Sequence, residues 1–183
     1  MMMALSLLLL RLVLGLIFLS HGAQKLFGVF GGHGFAATTQ FMHQLGLHPA
    51  NWWTIIGALG ELVGGLLLVL GLLTPLGSWL IIGVMLIALA RVHWRKGFWS
   101  SQGGYEYNLV LSAVAVVLGL LGAGVYSLDA VSGLDFPEPQ TFLFGLLALL
   151  ILLAGAMALI PWLEQRPRGT RDWRTRLHHP FHV

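Results

Sequence analysis

The sequence predicts an all-α integral membrane protein with five transmembrane spans, the fifth C-terminal. Three observations carry that prediction. Asp, Glu, Lys and Arg make up 9% of the 183 residues and hydrophobic residues 57%, where soluble domains carry roughly 25% charged residues. Mean hydropathy is +0.82. Five apolar runs occur along the chain, each close to the roughly 20 residues that cross about 30 Å of hydrocarbon. The chain has no cysteine, which excludes disulfides, thiolate metal sites and thiol redox chemistry. Its net charge of +3 is no nucleic-acid signal, because half of the ten Lys and Arg residues fall in the last eighteen positions. That clustering is the mark of a membrane topology.

The first span covers about Ala4 to His21. It has no basic segment ahead of it, no Ala-x-Ala cleavage site, and carries Arg11 within the apolar run, so it reads as a retained helix and not a signal peptide. Arg11, Gly15, Phe18, Gly22 and Lys25 follow helical spacing, with His21 beside them, and this stripe faces protein. Ala23 to Trp53 is too polar to span. Within it, Phe35 to Leu45 has the pattern of a short amphipathic helix in the headgroup region, and His33, His43 and His48 read as solvated loop histidines with no metal-binding spacing.

The second span, about Trp53 to Leu73, carries Glu61 near its middle. A carboxylate at the bilayer centre costs about 2.5 to 3.5 kcal/mol, so Glu61 must face the bundle interior and find a partner. Gly57, Gly60, Gly64 and Gly65 lie on its side and permit close helix approach. Thr74-Pro75 then starts the next helix, Thr as N-cap and Pro at the first position. The third span runs from about Leu76 to His93, with Gly83, Leu86, Ala90 and His93 on one face.

A polar connection, Arg91 to Leu111, joins the third span to the fourth and gathers His93, Glu106, Asn108 and two tyrosines. Trp94, Phe98 and Trp99 within it read as interfacial anchors. The fourth span, about Tyr107 to Leu121, has a small and polar seam of Tyr105, Asn108, Ser112, Ala115, Gly119 and Gly122. Ala123 to Gln140 reads as a loop with Asp129, Asp135 and Glu138. The fifth span, Thr141 to about Trp162, lacks ionisable side chains, and the tail beyond it holds Arg166, Arg168, Arg171, Arg174 and Arg176. The first four spans lie within residues 1–129, the acidic loop and a further helix within 130–163, and a basic tail in 164–183. The recurrence of Val-Leu-Gly-Leu-Leu at Val69 and Val117 is low complexity.

With five spans, Lys25, Arg95/Lys96 and the arginine tail fall on one side and the acidic loop on the other. The positive-inside rule makes this a multi-pass cell-membrane protein with its N-terminus outside and its C-terminus cytoplasmic. Membrane lipid is then its first partner, each tail arginine contributing about 1 kcal/mol of attraction to an anionic surface.

This topology is expected to stack Arg11, His21, Lys25, Glu61, His93, Glu106 and Asn108 into one polar core from mid-membrane to the inner face, with Arg11 reaching Glu61 across the glycines. Two readings stand. In one, the core holds a polar head group such as a quinone carbonyl, and His and Glu handle protons. In the other, Arg11 and Glu61 neutralise each other and the His/Glu cluster pins the connection. Haem b between His21 and His93 is not expected, since two histidines specify such a site poorly and no c-type attachment motif occurs. Solute transport finds no support in an inverted repeat.

Four blocks in order carry a resemblance: Arg11-Leu12-x-Leu14-Gly15-x-x-Phe18-x-x-His21-Gly22-x-x-Lys25-Leu26-Phe27-Gly28; Glu61-x-x-Gly64-Gly65-x-x-Leu68-x-Leu70-Gly71-Leu72-x-Thr74-Pro75; His93-x-x-x-Gly97-Phe98-Trp99; and Gly103-Gly104-Tyr105-Glu106-Tyr107-Asn108-Leu109. Together with Tyr126-Ser127-Leu128-Asp129 they resemble the DoxX family of small bacterial and archaeal membrane proteins, over about Leu5 to Asp129. The resemblance implies a four-helix membrane domain, to which the fifth span and arginine tail are an addition. It also implies a quinone-associated redox subunit working with partner membrane or peripheral redox subunits, as in the quinol oxidase, thiosulfate:quinone oxidoreductase and oxidative-stress assemblies to which family members are linked. An accessory or assembly subunit without its own turnover is the alternative. Arg11, His21, Lys25, Glu61, His93, Glu106 and Asn108 are the positions that carry the family pattern.

Overall fold

Each long apolar run becomes a helix, and each break falls where the backbone can leave the helical region. The computed structural model describes residues 1–134 and 139–164, with side chains to 159. The helices are α1 (Met2–Phe27), α2 (Gly34–Gln44), α3 (Ala50–Leu70), α4 (Thr74–Ala88), α5 (Glu106–Leu121), α6 (Leu128–Ser132) and α7 (Gln140–Glu164). Gly28 and Gly71 end α1 and α3 in the left-handed conformation, with φ of 71° and 62°, where a side chain would be strained. Asp135, Glu138 and the five tail arginines lie outside the described residues.

α1, α3, α7 and the segment Thr74–Lys96 are long and apolar enough to cross a membrane. α5 has 16 residues, about 24 Å at 1.5 Å per residue, somewhat less than the hydrocarbon thickness. The expected bundle is present. α1 packs on α3, α3 on α4 and α4 on α5, α1 also touches α5, and α7 lies outside this group against α4 and α5. Leu7, Leu14, Phe18, Leu68, Ile81, Ile82, Met85, Leu111, Ala115 and Leu118 form the bundle core, which Phe142 of α7 joins.

The α1/α3 contact rests on missing side chains. A methyl group added at Gly22 would stand 2.6 Å from Leu62 N, and one at Gly65 would stand 2.5 Å from Leu19 N. These are backbone-to-backbone approaches that only glycine permits. They fix the antiparallel register, setting Gly15 beside Gly65 and Val69, and Gly22 beside Ala58 and Leu62. α7 docks by the same device at larger scale. The Phe142 ring occupies the space beside Gly119, the Trp79 indole that beside Gly145, and Trp79 Nε1 donates to the Phe142 carbonyl at 3.0 Å.

Two connections are more built than the sequence implies. The segment expected as a loop from Ala123 to Gln140 contains α6, capped by Ser127 Oγ, which accepts from Ala130 N at 3.1 Å. Thr74 is not the N-cap of α4 but its first residue. The cap comes from 55 residues away: Asp129 Oδ1 accepts from Leu73 N at 2.8 Å, and Oδ2 from Thr74 N and Thr74 Oγ1 at 3.2 and 3.3 Å. A carboxylate there satisfies donors that the first helical turn leaves orphaned.

A candidate functional site between α1, α2 and α4

Past Ala88 the fourth helix changes its winding. Leu89–His93 is a π-helical turn and Trp94–Lys96 a 3₁₀ turn. A regular helix rotates about 100° per residue, which puts Val84, Ile87, Ala88 and Arg91 on one face and turns His93 to the opposite side. The wider turn slows that rotation, and His93 joins Val84, Ile87, Ala88, Arg91 and Val92 in lining one cavity. Inserted π turns recur at functional sites.

The cavity has a volume of about 610 Å³ and lies between the end of α1, the Gly31–His33 turn, α2, the start of α3 and the end of α4. Its apolar walls include Phe41, Met42, Leu47, Trp53, Ile56 and Val84, and its polar groups include Gln24, Lys25, His33, Arg91 and His93. A mostly apolar concavity with a few converging polar groups is the usual form of a small-molecule site. Around it, Gln24 Nε2 donates to the Phe30 carbonyl at 2.9 Å, Thr38 Oγ1 to the Lys25 carbonyl at 3.4 Å, and Thr39 Oγ1 to Thr54 Oγ1 at 3.1 Å. α2, expected over Phe35 to Leu45, is thereby held to α1 and α3.

Lys25 connects the cavity to the bundle interior. Its Nζ lies 2.5 Å from Glu61 Oε1, and the Glu61 side chain is 3% exposed against 30% for Lys25. The expectation that Glu61 faces inward is met, but its partner is Lys25 and not Arg11. Arg11, fully buried, donates through Nη2 to the Tyr126 carbonyl at 2.5 Å and lies in the field of Asp129. The register explains the exchange: with Gly15 beside Gly65, Arg11 falls beside Gly71. Helical side chains lean toward the N-terminus, so Arg11 leans away from Glu61 and Lys25 leans toward it.

The single polar core therefore divides. Lys25 and His93 line the cavity, and Glu61 is joined to it through Lys25. Arg11 belongs to the opposite end of the bundle, with Tyr126 and Asp129. His21 is exposed, its Nδ1 3.1 Å from Gln24 Oε1. Asn108 is buried with Nδ2 on the Met85 sulfur at 3.4 Å. Glu106 folds the connection between α4 and α5: its Oε2 accepts from both Ser100 N and Ser100 Oγ at 3.0 Å. Stacked Trp94–Tyr105 rings and the edge-on Phe98–Tyr105 pair complete that connection.

His93 reaches both structures. Its Nδ1 lies 2.7 Å from the Gly103 carbonyl; a carbonyl only accepts, so Nδ1 carries the proton and Nε2 of the neutral ring is left as an acceptor. Arg91 and His33 are cavity residues that periodicity missed. His33, read as a solvated loop histidine, is exposed but sits on the cavity wall. The signal for Arg91 was its helical spacing of seven from Val84, with Ile87 and Ala88 on the same face between them. Arg91 Nη2 contacts the Gly46 carbonyl at 3.5 Å, and among the described residues no carboxylate pairs with it.

The family described as DoxX matches residues 6–94. The chain is also similar to a Bacillus subtilis (strain 168) protein named "Putative oxidoreductase CatD", with 33% identity over 122 residues, covering 67% of this chain and 83% of that protein. No solved structure matches.

Proposed function

Because the chain belongs to the DoxX family of integral membrane proteins, we propose that it is a quinone-associated redox subunit whose cavity receives the quinone head group. The observation that carries this reading is the arrangement of Lys25, Arg91 and His93 on an otherwise apolar cavity of about 610 Å³, with Lys25 backed by buried Glu61. The residues fit such a group. Phe41, Met42 and Trp53 offer flat and polarisable surface to a ring, while Lys25 and Arg91 offer donors to carbonyl oxygens.

Bound there, a quinone supplies two-electron, two-proton carbonyl chemistry. The protein's part is to bind, orient and pass protons. Arg91, free of a carboxylate partner among the described residues, holds an oxygen and favours negative charge on it. Lys25 Nζ and the Glu61 carboxylate form a two-member path by which a proton moves between cavity and interior. His93, with Nδ1 committed to Gly103, exchanges a proton through Nε2. Electrons come from a partner redox subunit, in keeping with the oxidoreductase name of the Bacillus relative. Lys25, Arg91, Arg95 and Lys96 crowd this end while Asp129 lies at the other, which supports a cell-membrane topology with the cavity facing the cytoplasm.

Titration of the protein in lipid nanodiscs with a short-chain quinone, followed by quenching of Trp53, tests the reading. Saturable quenching that weakens in Arg91→Gln is expected. No saturable binding by benzoquinones or naphthoquinones would overturn it.

A further inference from the structure

The cavity does not end at its own walls. Ile56 on α3 and Val84 and Ile87 on α4 line it and also line a second groove, of about 410 Å³, between α3, α4 and α7. The groove exists where side chains are small: Gly60 on α3, Gly83 on α4, and Gly145 and Ala148 on α7. Leu76, Leu80, Leu149 and Leu152 are among the apolar residues that complete it. Its one polar side chain is Trp79, whose N–H is already given to the Phe142 carbonyl at 3.0 Å. Nothing in the groove can receive a head group, and hydrocarbon is the only chemistry it suits.

We infer that cavity and groove are two halves of one lipid site, the groove taking the isoprenoid tail of the molecule whose head lies in the cavity. This rests on the head-group reading above. Continuity through Ile56, Val84 and Ile87 commits the groove to a tail and not to a partner helix, because a helix laid there would have no reason to meet the polar cavity. One wall comes from α7, which lies outside residues 6–94 where the family matches. Tail selection is therefore what α7 adds to the four-helix domain.

The test uses the full chain in nanodiscs and two quinones with the same head, one carrying a single isoprenoid unit and one carrying several, with amounts expressed as mole fraction in lipid. The long-tailed compound is expected to bind about tenfold more tightly. Ala148→Trp, placed at an exposed groove position, is expected to abolish that advantage and leave the short-tailed compound unchanged. A photoreactive group at the tail end is expected to label α4 or α7 between 76 and 87 or 145 and 153. Equal affinities for both compounds, an unaltered preference in Ala148→Trp, or labelling confined to helices other than α3, α4 and α7 would each overturn the tail groove while the head-group reading stood. Failure of both compounds to bind the unaltered protein would remove the head-group reading, and the groove proposal with it.

Discussion

Lys25 Nζ and Glu61 Oε1 lie 2.5 Å apart and tie the end of α1 to the middle of α3 beside the cavity. Removing the cation alone strands a buried carboxylate. Lys25→Met is expected to cost about 3 kcal/mol, the lower end of the range for a broken buried pair, because Lys25 is partly exposed. Adding Glu61→Leu to it should recover most of that loss, since replacing both members by apolar groups removes the stranded charge. Unfolding in mixed micelles measures both variants; a Lys25→Met protein as stable as the unaltered one would show that the pair holds nothing together.

Asp129 is the cap of a helix it does not belong to. Asp129→Ala is expected to lose about 2 kcal/mol, the upper end of measured N-cap substitutions, because three contacts to Leu73 and Thr74 go at once. Asp129→Asn keeps one acceptor oxygen and should lose less. The same unfolding experiment ranks them, and equal losses would mean that charge and not hydrogen bonding matters here.

Glycine substitutions on α1 and α3 should divide sharply. Gly22→Leu and Gly65→Leu drive a side chain into the facing backbone and are expected to cost about 3 kcal/mol or to prevent folding, the upper range for overpacking. Gly57→Ala meets nothing within 4 Å and should raise stability by roughly 0.5–1 kcal/mol through helix propensity alone. Melting temperatures of the three variants check the contrast.

Arg91 and Glu106, both charged and both near the α4–α5 connection, should separate binding from folding. Arg91→Gln is expected to weaken a short-chain quinone about tenfold with little change in melting temperature. Glu106→Ala frees the Ser100 end of the connection, and should speed hydrogen exchange over residues 97–105 while leaving quinone affinity unchanged. Paired titration and exchange measurements decide it.

Much of this protein is legible without coordinates, because a lipid environment demands long apolar helices and punishes exposed charge. The apolar runs, the break at Thr74-Pro75, the short helix near Phe35 to Leu45 and the inward face of Glu61 all follow from composition and period. The glycines beside Glu61 announce a close helix neighbour. What period cannot give is depth. Arg11 and Lys25 share a stripe on α1 and are equally good partners for Glu61 by pattern alone.

The choice between them was made by the α1/α3 register, which Gly15, Gly22 and Gly65 set by contact with backbone across the interface. The same is true of Asp129, whose role as a cap depends on a chain segment returning to Gly71, and of His93, which reaches the cavity through a turn wound more widely than its neighbours. By itself the sequence determined that the Arg11 stripe and Glu61 turn inward, since oil makes that demand on a single helix; it did not determine the inward face of the third span, where Ala90 of the expected stripe is exposed and Ile81, Ile82 and Met85 form the core. Only the tertiary structure decided how far one helix slides along another, because steric fit between two surfaces sets that distance and neither surface contains it alone.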